Sequence, residues 1–256
     1  MKFKAFTVAA LLAAISISAH AGDSKDMKDM KEMAPAPACD AGFYVGIYGG
    51  AQFSTDYGND RRTLSLAGGN LDVPGASTSA DWGGVGGIKA GYNFESYPIF
   101  DGLRLQPGVE GEALYIGSTS TATSVIPIND NTSYNSAAWF VNGILRFKLD
   151  FPLTPYIGAG IGGEYITAHT ELVPVAGPGK ITGLNSSDVD FAVQLLAGFD
   201  YEVVPHWSLF TEYKFIDALG TDLKYSNVAG ISGLDYRFKP DQLQQHLIVA
   251  GVKYGF

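Results

Sequence analysis

The chain has 256 residues, of which 46% are hydrophobic but only 17% charged, with 32 Gly, 14 Tyr, 15 Phe and 3 Trp. Glycine is a poor helix former and aromatics favour pleated surfaces, so this mixture excludes a helical protein and points to an all-β chain. A formal charge of -9 gives no basic surface for nucleic acid, and a single Cys closes no internal disulfide.

The chain opens on MKFK, then the apolar run AFTVAALLAAISISA, then Ala19-His20-Ala21 with small residues at the two positions a signal peptidase reads. Residues 1–21 are therefore expected to be a secretory signal with Ala19 and Ala21 marking cleavage. The apolar run is too short for a membrane-spanning helix. Residues 22–41, GDSKDMKDMKEMAPAPACDA, show no buried-face period and read as a periplasmic linker. Cys39 stands too far beyond the cleavage point to be a lipid-modified first residue.

From Gly42 onward the apolar residues alternate, and period two means strand. In the first strand Phe43, Val45, Ile47, Ala51 and Phe53 alternate with Tyr44, Gly46, Tyr48, Gly50 and Gln52. Further strands are predicted near 83–94, 103–116, 137–149, 156–167, 190–202 and 207–216, and the last ends at Phe256. Connections alternate between long polar stretches rich in Asn, Ser, Thr, Gly and Asp and the short ESYPIFDG, DFPLTP and VVPH. Eight strands of about ten residues, long and short connections in strict turn, and both termini on one side predict a closed antiparallel up-and-down transmembrane β-barrel. Its short turns would be periplasmic and its long loops extracellular. Closure leaves no unpaired strand edge in lipid.

The faces divide by charge. Lys89, Arg104, Glu110, Glu112, Arg146, Lys148, Glu164, Asp200, Glu202, Glu212, Lys214 and Lys253 all fall opposite the aliphatic stripe. Buried unpaired charge costs several kcal/mol per ion, so this mixed-sign set is expected to form ion pairs inside the lumen. Pairs are expected from Arg104, Arg146, Lys148 and Lys214 with Glu110, Glu112, Glu164 and Glu212. Aromatics mark the strand ends: Phe43, Phe94, Phe147, Tyr156, Tyr201, Trp207 and Phe256 at the periplasmic level, and Phe53, Tyr115, Trp139, Tyr165, Phe191 and Phe215 at the outer level.

The terminal GVKYGF, with Gly251, Tyr254 and Phe256, resembles the assembly signal of outer-membrane barrels, except that Val249 stands where a polar residue is usual. Over residues 42–256 the chain is similar to the eight-stranded opacity-type and outer-membrane-protein-A-like barrels. The resemblance implies a Gram-negative outer-membrane location, contact with outer-membrane lipids and with the barrel-insertion machinery, and no peptidoglycan-binding C-terminal domain.

Other motifs carry less. Gly158-Ala-Gly160-Ile-Gly-Gly163 fits a dinucleotide fingerprint, but no helix follows it, and its glycines are expected to make room for bulky neighbours across the lumen. Gly177-Pro-Gly179-Lys180 lacks the first glycine of a phosphate loop. His206-Trp207-Ser208 resembles the His-x-Ser of outer-membrane lipid A deacylases, yet it maps to the periplasmic end and Gly220 stands about where the motif's Glu belongs. His206 is expected in an interfacial turn, and His169 and His246 at a loop or rim. No enzyme, metal or cofactor is predicted. The expected role is structural or adhesive, through loops that hold an external ligand or host surface, with a porin-like small-solute channel as the alternative and a lipid-modifying enzyme behind it.

Overall fold

Alternating side chains commit eight segments to strands that bury one face and expose the other. The structure, a computed structural model, describes residues 41–54, 61–66, 69–73, 77–78, 82–123, 128–174, 181–226, 232, 234–239 and 243–256. The signal region with Ala19 and Ala21, the linker, Cys39 and the Gly177 to Lys180 turn lie outside the described residues. The strands in chain order are β1 Gly42–Ser54, β2 Arg61–Leu66, β3 Gly69–Val73, β4 Ser77–Thr78, β5 Trp82–Asn93, β6 Tyr97–Phe100 and β7 Leu103–Thr123. They continue with β8 Ile128–Leu149, β9 Leu153–Pro174, β10 Ile181–Val204, β11 Trp207–Leu219, β12 Leu223–Tyr225, β13 Leu234–Lys239 and β14 Leu243–Gly255.

Eight of these pair antiparallel in the ring β1-β5-β7-β8-β9-β10-β11-β14, and β14 returns to β1 with Val45 opposite Tyr254. The barrel is therefore closed. At the periplasmic end, where the short turns lie, His206 occupies the positive-φ position of the tightest turn (φ 73°) and its Nδ1 lies 2.8 Å from Gly255 O. The expected faces are present: Ile47, Ile88, Val141, Ile161 and Leu195 are exposed outward, while Tyr44, Lys89, Glu112, Asn142, Glu164, Gln194 and Lys214 are buried.

Two features depart from the predicted elements. First, β7, β8, β9 and β10 run to 21, 22, 22 and 24 residues, about twice the roughly 9–11 a tilted strand needs to cross the hydrocarbon. The polar connections between β7 and β8 and between β9 and β10 are thus mostly paired strand, rising as a tall wall beyond the membrane. Their Thr, Ser and Asn residues have no apolar face to alternate, which hid them from a periodicity reading.

Second, the connections β1 to β5 and β11 to β14 build a separate antiparallel sheet in the order β12-β13-β2-β3. This sheet packs on the inward side of the tall wall. Leu223 and Tyr225 of β12 bury against Ala168 and Leu184, with Tyr134 and Tyr236 alongside. Thr170 Oγ1 donates to Tyr225 Oη at 3.1 Å, and Thr221 Oγ1 donates to Asp190 at 2.6 Å. The backbone N–H groups of Asp222 and Lys224 donate to the side chains of Asp188 and Ser186 at 2.8 and 2.9 Å. The two connections thereby form one sheet, a canopy held to the wall at β12 and the residues just before it.

The glycine run of β9 has a different reason from the one expected. A Cβ on Gly158 would lie 2.7 Å from Ile144 Cδ1 and 2.9 Å from Leu196 Cδ1, and one on Gly162 would lie 2.8 Å from Phe140 Cδ1. The bulky groups accommodated belong to the adjacent strands β8 and β10 rather than to strands across the lumen.

Candidate functional site

The lumen is built by the inward residues of all eight barrel strands. Near the periplasmic end Asp200 of β10 lies between Arg146 Nε of β8, at 3.4 Å, and Lys253 Nζ of β14. Arg146 Nη2 also donates to Tyr44 Oη at 3.1 Å, and Tyr44 donates to Glu110 at 2.8 Å. Lys89 of β5 lies 3.5 Å from Glu110 and 3.0 Å from Glu212, with its Nζ 3.9 Å from the centre of the Phe210 ring. Tyr156 donates to Glu212 at 2.7 Å.

Lys214 then bridges Glu212 and Glu112, the latter at 2.5 Å, and both ends of this bridge are fully buried. Glu112 also receives Gln194 Nε2 at 3.0 Å, Asn142 Nδ2 at 3.4 Å and the Tyr48 hydroxyl. The result is one chain of contacts, Lys253, Asp200, Arg146, Tyr44, Glu110, Lys89, Glu212, Lys214, Glu112, with four cations set against four carboxylates. Stripping ions of water is compensated only when each finds a counter-ion and its remaining lone pairs find donors. The ladder meets the first condition throughout, while Glu110 Oε1 and Arg146 Nη1 are buried with no hydrogen-bond partner among the described residues.

Not every predicted member joins it. Arg104 and Glu202 lie exposed at the periplasmic rim with Lys148 half-buried beside them, because the strands start there and water reaches the lumen face. These three cannot close the interior. Glu164 is buried but stands apart: it accepts from Gln245 Nε2 at 2.7 Å and from Ser136, with no cation against it among the described residues. An apolar cluster that includes Leu114, Phe140, Phe210, Ile216, Leu247 and Val249 packs alongside the ladder, with Phe210 opposite Asp200, Val249 opposite Glu212 and Phe140 opposite Glu112 in register. The departure of Val249 from the assembly pattern has a structural reason there, since it is 1% exposed within that cluster.

Sequence reasoning left out the tyrosines. Tyr44, Tyr48 and Tyr156 share the inward parity of the charges, and that parity was the signal available. Tyr156 is 2% exposed and bound to Glu212, so it does not belong to the periplasmic aromatic band to which it was assigned. That band instead gains Tyr97, Phe100 and Phe151 beside Phe43, Phe94, Tyr201, Trp207 and Phe256, and the outer band gains Trp82.

The terminal residues are placed plainly. Gly251 faces inward where a Cβ would lie 2.7 Å from both Phe210 Cζ and Tyr48 Cβ. Tyr254 packs edge-on against Trp207 and Phe256 at 5.0 and 5.1 Å, and Phe256 N donates to Phe43 O at 2.9 Å, fastening the last residue to the first strand. His246 lies 2.6 Å from the Tyr213 hydroxyl, and His169 contacts Asn185 at the outer rim. Among the described residues no group of three or more His, Cys, Asp and Glu is placed to hold a metal ion.

On the canopy, Asp222 receives Arg237 Nε at 2.6 Å and lies 3.4 Å from Lys224 Nζ. The hydrogen bonds from Arg237, followed by that from Lys224, hold its carboxyl below the usual range.

The outer membrane protein beta-barrel domain family matches residues 7–256. The outer membrane protein PagN of Salmonella typhimurium is 27% identical over 153 residues, covering 57% of this chain and 62% of PagN. The match thus spans less than two thirds of that relative. The 31 kDa outer-membrane immunogenic protein of Brucella melitensis is 24% identical over 221 residues, covering 84% of this chain and 83% of that protein. The crystal structure of the outer membrane protein OprG from Pseudomonas aeruginosa aligns with a TM-score of 0.49 at 14% identity, covering 85% of this chain and 97% of that one.

Proposed function

We propose that this chain, which belongs to the outer membrane protein beta-barrel family and resides in the outer membrane of a Gram-negative bacterium, serves as a sealed scaffold that presents its canopy sheet for recognition at the cell surface. The observation that carries the reading is the canopy itself. Two connections far apart in sequence pair as β12-β13-β2-β3, and β12 buries Leu223 and Tyr225 on the tall wall while Asp235 and Arg237 of β13 lie exposed. Binding residues are characteristically displayed on connections held by a rigid frame. The filled lumen supports the same reading, since a barrel of eight strands has an interior about wide enough for its own side chains.

On this reading residues 1–21 direct export, residues 22–41 tether the mature N-terminus in the periplasm, and Gly251, Tyr254 and Phe256 present the last strand to the insertion machinery. An external ligand or host surface would meet the canopy, and the ladder acts in cohesion rather than chemistry. The test pairs two measurements. Cells carrying the barrel with residues 61–73 and 223–239 each replaced by a short Gly-Ser turn should lose surface binding while keeping a folded barrel. Purified wild-type protein in a planar bilayer should show no steady conductance. Steady conductance, with binding unchanged in the loop-replaced form, would refute the scaffold and favour a small-solute channel.

A further inference from the structure

A second feature sits on the outside of the wall, away from both lumen and canopy. An open groove of 510 Å³ crosses β5, β7 and β8, with Trp82, Gly84, Gly117, Thr119, Ser133 and Asn135 on its walls. These six share the parity of the outward face, alongside Ile88, Tyr115 and Trp139, while Gly83 and Ser118, which complete the lining, have the opposite parity. The register fixes its height. Tyr115 lies opposite Ala137, which lies opposite Tyr165, in the outer aromatic row; Gly117 opposite Asn135 is the next outward row toward the cell exterior. Aromatic rows of this kind mark the boundary between hydrocarbon and headgroups, so the groove opens at headgroup level.

Its lining is specific in kind. Gly84 and Gly117 provide the floor, and an added Cβ on Gly84 would meet nothing within 4 Å. Trp82, 74% exposed and packed at 5.8 Å against Phe53, stands as one aromatic wall, and Tyr115 stands below. The Tyr115 hydroxyl donates to Asn135 Oδ1 at 3.0 Å, which orients the Asn135 amide in the groove. Thr119 and Ser133 add hydroxyls, and none of the six is charged. A phosphate clamp would require Lys or Arg. Aromatic faces that stack on C–H groups, with neutral donors and acceptors around a shallow concavity, instead suit a sugar ring.

The groove is continuous with the lipid-facing wall, so its occupant comes from the membrane. We infer that it holds the sugar headgroup of a glycolipid in the outer leaflet. The inference rests on the outer-membrane location and is independent of the canopy's role.

The experiment uses the full barrel in nanodiscs of phospholipid with and without purified lipopolysaccharide, exchanged into detergent, with retained glycolipid counted by native mass spectrometry. Gly84→Phe fills the groove without touching the backbone, Asn135→Ala removes the amide, and Gly111→Phe places the same bulk lower on the lipid face, where a Cβ meets only Ala90 O at 3.9 Å. The gel shift between boiled and unboiled samples verifies that each is folded. Retention should fall about tenfold in folded Gly84→Phe and severalfold in Asn135→Ala, with Gly111→Phe like wild type. Unchanged retention in the first two, an equal fall in Gly111→Phe, or displacement by free maltose as effective as by lipopolysaccharide would each overturn the assignment.

Discussion

Replacing Lys214 with Met removes a charge while keeping the volume of the side chain, and the ladder shows where the cost falls. Lys214 is 0% exposed and contacts two carboxylates. Glu212 retains Lys89 at 3.0 Å and the Tyr156 hydroxyl at 2.7 Å, so it remains paired. Glu112 retains only the neutral donors Gln194, Asn142 and Tyr48. The substitution therefore strands one buried carboxylate, and breaking a buried pair in this way costs about 3–5 kcal/mol. An exposed pair contributes only about 0–1 kcal/mol. Adding Glu112→Gln to Lys214→Met removes the stranded charge, so the double variant should be more stable than Lys214→Met alone, with a coupling in the upper part of the ~0.5–3 kcal/mol range for contacting groups. Urea unfolding of the refolded barrel in lipid vesicles measures all four corners of this cycle. A loss below about 1 kcal/mol for Lys214→Met, or additivity within about 0.5 kcal/mol, would refute the claim that the lumen is held by paired buried charge.

Further predictions follow from the other sites. Glu164→Gln should change stability by less than about 1 kcal/mol or raise it in the same urea assay, because it neutralises a buried carboxyl that no cation faces among the described residues; a loss above about 3 kcal/mol would mean a cation sits there. The depressed carboxyl of Asp222 stabilises the canopy above its unfolded value near 3.9 and loses that contribution as pH falls through its lower folded value. Hydrogen exchange, normalised to intrinsic rates, should therefore show β13 opening below about pH 4 while β14 stays protected, with Asp222→Asn open already at pH 7; equal behaviour of the two strands would contradict it. Deleting Phe256 removes the bond to Phe43 O and one wall of the Tyr254 contact, so the unboiled fast-migrating band should weaken at native expression, and an unchanged band would show that barrel closure does not need it.

How much of this was written in the sequence depends on the range of the interaction. Period-two alternation is local, each side chain being set by its neighbour's orientation. The eight crossings, the outward aliphatic face and the inward placement of Lys89, Glu112, Arg146, Asp200 and Lys214 could therefore be read from order alone. Burial at the rim could not, since the parity of Arg104 and Glu202 matches that of Glu112 and only their height separates them. The canopy strands were invisible for another reason: β2, β3, β12 and β13 are only 3–6 residues long, too short for alternation to stand out, and Leu223 and Tyr225 of β12 gain their burial from Ala168 and Leu184 of the wall.

What the sequence determined, then, was which residues enter the lumen. Which of them meet was decided by tertiary structure alone. Lys89 and Glu212 are 123 residues apart, and Tyr44 and Glu110 are 66 apart. Those meetings depend on the stagger with which eight strands close, because stagger sets the height of each inward residue. A two-residue change in that stagger would keep every face and still exchange the partners, since inward residues recur at every second position.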